Sequence, residues 1–166
     1  FIKPTAGNGR VLGYDVVADS IKVRRRVGYL PSDVALYPHL NGLQHLSLIK
    51  GIRKYIPKHR VARLTELFNV DMHRSIRQCS RGMRQKVAIV LALAHDPDLL
   101  VLDEPTSSLD PLSQQVFLDL LREERQRGKT IFFSSHNLSE VEAVCDRAAV
   151  IREGKLAALG SVQELA

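Results

Sequence analysis

Residues 99–102 are an unbroken apolar run, Leu-Leu-Val-Leu, with Pro97-Asp98 before it and Asp103-Glu104 after it. A run this short between polar residues reads as a strand buried on both faces. Other stretches read as strands too. GRVLGYDV (9–16) alternates and leads to a turn, RRVGYLP (25–31) is stopped by Pro31, and KTIFFSS (129–135) ends at His136. Between them the spacing is helical. In NGLQHLSLIKGIR (41–53), Leu43, Leu46 and Ile49 or Lys50 recur at helical intervals, and in HRVARLTELF (59–68), Val61, Leu64, Leu67 and Phe68 share a face. Residues 84–96 place Val87, Val90, Leu91 and Ala94 on one face, with Ser80 as a candidate N-cap. Asp110-Pro111 reads as an N-cap and a first-turn proline, opening a helix that runs to about Gln126 and stops before Gly128. NLSEVEAVC (137–145) reads as a helix capped by Asn137 or Ser139, and RAAVIREGKLAALG (147–160) as a hairpin around Glu153-Gly154. SVQELA opens a last helix.

Strand and helix alternate after residue 97, which predicts a parallel α/β core. Three parts follow: a core segment at 1–35, a helical inserted subdomain at 36–96, and the rest of the core at 97–166. A chain of 166 residues suits one hydrophobic core. The longest apolar candidate, VAIVLALA (87–94), is far too short to span a membrane. Cys79 and Cys145 have neither metal-site nor disulfide-framework spacing, so a reducing compartment is the simplest expectation.

The net charge is +6, concentrated in KVRRR (22–26) and KGIRKYIPKHRVAR (50–63). Such clusters suit a solvated face, an anionic membrane surface or nucleic acid. Tyr55 alone falls among them, which is not the aromatic interleaving of single-stranded nucleic-acid binding, and no nucleic acid is expected as a partner.

The chemistry is concentrated at the end of the apolar run. Ligands of open parallel sheets bind beyond the carboxyl ends of the strands. Asp103 stands where an acid holds Mg²⁺ directly or through water. Glu104 points differently and is placed to polarise a water. The competing reading of the pair alone is a solvated Asp-Glu before a proline turn.

Four segments in order, GYLPSD (28–33), CSRGMRQK (79–86), LLVLDEPTSSLDP (99–111) and IFFSSH (131–136), resemble the nucleotide-binding domain of ABC transporters. The resemblance covers nearly the whole chain and is closest to the bacterial branch of drug and solute exporters. It implies a P-loop NTPase (RecA-like) parallel-sheet core with an inserted α-helical subdomain. It also implies ATP and Mg²⁺ as ligands and ATP hydrolysis that drives solute transport. By it, Asp103 is the Walker B aspartate that holds Mg²⁺ through water, Glu104 the catalytic base, and His136 the γ-phosphate histidine. Ser80, Arg81, Gly82 and Met83 occupy the signature loop, which binds the ATP held by the other subunit. The physics agrees, since a helix N-terminus presents free N–H groups to an anion. The sequence departs from the usual LSGGQ at Cys79, Arg81 and Met83. Ser108, Leu109 and Asp110 match the loop that touches the opposite subunit. Ser32 stands where the family has the Q-loop glutamine, and it is a possible Mg²⁺ contact with a shorter reach.

A P-loop, GxxxxGK[ST], is not found in these residues. Gly128-Lys129-Thr130 imitates it, but position 123 is Glu and the context is helix-to-strand; Gly128 reads as a helix C-cap. The expectation is therefore an incomplete core, a fragment cut at both ends, with negligible hydrolysis by these residues alone. A further expectation is an open edge on the Asp103 strand, covered by a second copy. The resemblance implies as partners a second ABC ATPase domain, identical or different, and a transmembrane permease. It implies a cytoplasmic location, peripheral on the inner face of the cell membrane. The alternatives are a non-transport ABC ATPase acting on DNA or ribosomes, and a catalytically inactive, partner-completed module.

Overall fold

The computed structural model describes residues 5–53 and 55–165. Phe1 to Pro4 of the opening segment, Lys54 of the second basic cluster and Ala166 lie outside the described residues. The elements are β1 (Arg10–Val11), β2 (Tyr14–Asp15), α1 (Ser20–Arg26), β3 (Val27–Leu30), α2 (Gly42–Ile52), α3 (Lys58–Leu67), a 3-10 turn (Ile76–Gln78), α4 (Arg81–Leu93), β4 (Leu99–Asp103), α5 (Pro111–Gln126), β5 (Thr130–Ser134), α6 (Leu138–Val144), β6 (Arg147–Arg152), β7 (Lys155–Ser161) and α7 (Val162–Leu165).

The centre is a parallel sheet in the order β3-β4-β5, an α/β arrangement. Leu30 pairs with Leu102, and Asp103 with Ser134, so all three strands point their carboxyl ends the same way. β4 has a hydrogen-bonded neighbour on each side, which corrects the expectation of an open edge there; among the described residues the outer strands of this sheet are β3 and β5. β4 also departs from the both-faces reading. Leu100 and Leu102 are buried at 0% and 1%, whereas Val101 on the opposite face is only half-buried. Its register neighbours Tyr29 and Phe132 are 60% and 66% exposed. The run is apolar throughout, but helices cover one side of it.

α4 supplies that cover. Its residues from Val87 to Leu93 are all buried, more than the single face the spacing predicts. Gly28 makes the approach possible, because a Cβ there would stand 2.4 Å from the Ala92 carbonyl oxygen. One cluster joins Leu46, Leu64, Phe68 and Ile76 to Leu30, Leu100, Leu102, Phe117 and Leu121. Leu67, expected on the inner face of α3, is 37% exposed; the face turns instead to bury Arg60 at 6%. Arg60 donates to the Leu93 carbonyl at 2.8 Å and pairs with Glu124, itself 1% exposed, at 3.1 Å.

Local chemistry sets the boundaries. Asn41 and Gln44 form a reciprocal capping box at the start of α2. Asp110 Oδ1 accepts from the Ser113 amide at 2.9 Å, and Pro111 follows it as the first residue of α5. Gly128, at φ 83, ends α5 as its C-cap glycine. Glu153 and Gly154, at φ 51 and 73, turn β6 into β7. Two elements depart from the pattern: GRVLGYDV is a two-residue hairpin rather than one strand, and Arg25-Arg26 end a helix rather than begin a strand.

Candidate functional site

The carboxyl ends of the three strands collect the polar groups that the sequence singles out. Ser32 follows β3, Asp103 and Glu104 close β4, and His136 follows β5. The β4–β5 register sets Asp103 opposite Ser134, whose Oγ donates to Asp103 Oδ1 at 2.6 Å. The same Oγ accepts the Glu104 amide at 3.0 Å. The Ser134 hydroxyl, then that of Ser32, and the Ser32 backbone N–H together hold the Asp103 carboxyl below its ordinary range. Asp103 is thus an ionised, hydroxyl-bound carboxylate.

Glu104 leaves the strand with φ at 46, the left-handed region, which a side-chain-bearing residue seldom occupies. The turn carries its carboxylate to His136, with Oε2 and Nδ1 2.8 Å apart. That hydrogen bond, with the Glu104 charge behind it, raises the His136 pKa above 6.5. The arrangement offers an acid for a hard cation, a second acid for a water, and an exposed imidazole hydrogen-bonded to the second acid. Asp103 and Ser32 fit Mg²⁺ by donor type: both present oxygen, and no Lys or Arg forms an ion pair with Asp103 among the described residues.

The residues expected to form the signature loop lie elsewhere. Ser80 caps α4, its Oγ accepting the Met83 amide at 3.2 Å. Arg81 is exposed, and Met83 is half-buried with Arg74 Nη1 3.8 Å from its sulfur. A Cβ on Gly82 would stand 2.9 Å from the Ser108 carbonyl oxygen. Lys86 pairs with Asp110 at 3.3 Å. Ser113 and then Lys86 hold the Asp110 carboxyl far below the usual range. Ser80 to Met83 therefore stand with Ser108, Leu109 and Asp110, while Ser32, Asp103, Glu104 and His136 form the other set. No hydrogen bond or ion pair joins the two sets directly among the described residues.

Several residues that hold the site were not singled out from the sequence. Ser134 is one. Gln85, 2% exposed, donates to the Pro105 carbonyl at 2.8 Å. Gln114 donates to the Thr106 and Leu109 carbonyls at 3.2 and 3.3 Å. Thr106 and Ser135 both donate to Glu140 at 2.9 Å. The one available signal was a polar residue at an inward helical position, as at Gln85. Gly128-Lys129-Thr130 lies at the opposite end of the sheet, where Lys129 pairs with Asp96 at 3.3 Å.

A family profile described as AAA domain, putative AbiEii toxin, Type IV TA system matches residues 12–142. The chain is 39% identical over 99% of its length to an uncharacterized ABC transporter ATP-binding protein of Nostoc sp., and it spans 50% of that protein. It is 35% identical over 99% of its length to the ABC transporter ATP-binding protein NatA of Bacillus subtilis, and it spans 69% of it. A solved ATP binding subunit of an ABC transporter superposes with a TM-score of 0.90 at 28% identity, covering 99% of this chain and 70% of the other. A second solved structure, an ATP-binding cassette in a dimeric post-hydrolysis state bound to ADP and Pi, has the same fold, with a TM-score of 0.82.

Proposed function

Since this chain belongs to the ATP-binding proteins of ABC transporters, we propose that it carries the water-activating and signature portions of an ATPase whose hydrolysis drives solute transport, in a bacterial exporter-like system. The observation that carries this reading is the convergence of Asp103, Glu104, Ser134 and His136 within hydrogen-bond distance at the strand ends. Asp103, with Ser32 beside it, is the Mg²⁺-holding group. When bound, the ion supplies positive charge against the phosphates. Glu104 orients and polarises water, and little covalent chemistry is asked of it, since phosphoryl transfer is mostly positioning and charge stabilisation. His136 Nδ1 stays on the Glu104 carboxylate, which leaves Nε2 to contact a terminal phosphate.

Ser80, Arg81, Gly82 and Met83 present a capped helix N-terminus, an anion site. Its separation from the Asp103 set supports a two-subunit arrangement, in which each chain lends its signature loop to the other's nucleotide and Ser108 to Asp110 line the contact. The partners in this reading are a second ATPase domain and a membrane-embedded permease at the inner face of the cell membrane.

The 166 residues contain no P-loop motif, so we expect weak Mg-ATP binding and negligible turnover from them alone. Titration of Mg-ATP into the chain, followed by NMR, checks both. Shifts should appear at Ser80 to Gly82, Asp103 and His136 without phosphate release. Absence of shifts at those residues would sink the ATPase reading, and micromolar binding with turnover would sink the claim of inactivity.

A further inference from the structure

We propose that Glu140 is a positioning residue for this site: its buried carboxylate clamps the loop after β4 to the turn that carries His136. The purpose of the clamp rests on the ATPase reading above; its geometry does not.

Glu140 lies in the first turn of α6 and is 6% exposed. Its Oε2 accepts the hydroxyls of Thr106 and Ser135, each at 2.9 Å. Thr106 is 3% exposed and sits two residues beyond Glu104. Ser135 immediately precedes His136. One oxygen atom therefore joins the segment that carries the water-activating acid to the segment that carries the imidazole. Ser135 Oγ also accepts the Asn137 amide at 3.0 Å, which extends the clamp to the cap of α6.

The choice of partners is informative. A buried carboxylate is costly unless it is satisfied, and a cation is the usual solution. No Lys or Arg forms an ion pair with Glu140 among the described residues. Two short hydroxyls satisfy it instead. They give directional bonds at fixed points of the backbone, whereas a long cationic side chain would tolerate several geometries. The Glu104–His136 contact on the exposed side depends on how far apart the two segments stand. Glu140 sets that separation from the buried side. Gln85 and Gln114 fix the same loop at Pro105, Thr106 and Leu109, but neither reaches the His136 segment.

Amide hydrogen exchange on the chain tests this without nucleotide. In Glu140→Ala, exchange should become about tenfold faster at Asn137, whose amide bonds the Ser135 hydroxyl, and at Leu109, whose amide bonds the Thr106 carbonyl, as expected when the residues that accept from both amides lose their shared anchor. Leu91 and Leu120 in the core should be unchanged. Glu140→Gln keeps an acceptor oxygen and should restore both amides to within about twofold of the native rate. Thr106→Val keeps the shape, removes one hydroxyl, and should still accelerate Asn137 on the far side of the clamp. If Glu140→Ala does not fold, this last variant carries the test. Any of three results overturns the proposal: an unchanged Asn137 in Thr106→Val, uniform acceleration that includes Leu91 and Leu120, or a Gln variant as fast as the Ala variant. A failed clamp shows in these rates, and a failed ATPase reading shows in the Mg-ATP titration of the native chain, so the two are told apart.

Discussion

The two ends of the central sheet hold their acids in opposite ways. At the amino end, Asp96 faces Arg60, Arg127 and Lys129 at 3.4, 3.2 and 3.3 Å, and Asp98 pairs with Arg26 at 2.7 Å. Glu124, beneath them, pairs with Arg60 and Arg127. At the carboxyl end, Asp103 and Glu104 meet hydroxyls, a backbone N–H and one imidazole. Both ends are rich in charge, so charge alone does not mark function. What separates them is whether the acids are already neutralised. An acid surrounded by guanidinium groups has no use for a metal ion, whereas one held by hydroxyls keeps its negative charge available. The contrast also explains why Gly128-Lys129-Thr130 is not a phosphate cradle: its lysine is committed to Asp96 at the wrong end.

This comparison can be broken most sharply at Arg60. Arg60→Ala leaves the buried Glu124 with only the half-exposed Arg127 and should cost about 3 kcal/mol in urea unfolding, the lower end for a broken buried pair. Replacing both residues with leucine should recover much of that loss. A cost no greater than that of a surface substitution would show that the amino-end network is ornamental. The next effect is an acid-side loss of stability. Burial, and then the charge of Arg53, lower the His95 pKa from 6.5 to about 4, and its ring contacts the Val27 carbonyl at 3.2 Å. A depressed histidine contributes stability that is complete above 6.5 and lost as pH falls toward 4, so the melting temperature should decline across that window. His95→Gln should flatten the decline.

A smaller effect of opposite sign belongs to the carboxyl end. Glu104 raises the His136 pKa, so the stability from that pair is complete below 6.5 and lost as pH rises through the raised value. An NMR titration should find His136 above 6.5 in the native chain and closer to it in Glu104→Gln. The smallest effect is the most telling. Glu104→Gln should change unfolding stability by no more than about 0.5 kcal/mol, since the acid is not part of the ion-pair scaffold. A loss as large as that of Arg60→Ala would erase the distinction between the two ends.

Much of this architecture was legible in the sequence because local signals agreed with one another. Ser80, Asp110 and Gly128 announce helix ends, and each does so in the structure. The placement of Asp103 and Glu104 was legible because ligands of such sheets bind at the strand ends, whereas His136 was singled out through the family resemblance. The supports were not legible. Thr106 and Glu140 read as ordinary polar positions, and only the fold turns them inward to satisfy one another. Arg60 is the clearest case: its neighbours predict an apolar face, and nothing local announces that Glu124 waits across the interface. The open face of β4 was missed for a related reason. Apolar content reports what a strand tolerates, and Tyr29, Val101 and Phe132 tolerate cover that these residues do not supply.

The backbone of Glu104 has one more consequence. A left-handed residue with a side chain costs about 1 to 2 kcal/mol, held in place here by the Ser134 hydroxyl on its amide and by Gln85 on the Pro105 carbonyl. Position 104 is thus guarded by two independent filters. The proposed water activation asks for a carboxylate, and geometry demands a residue that can coil the wrong way. Asn or Gly passes the second filter and fails the first. Val, Ile or Thr fails both, and spoils the turn before any nucleotide arrives. Variation at this position is therefore narrowed twice, by what the site does and by how the chain must bend to do it.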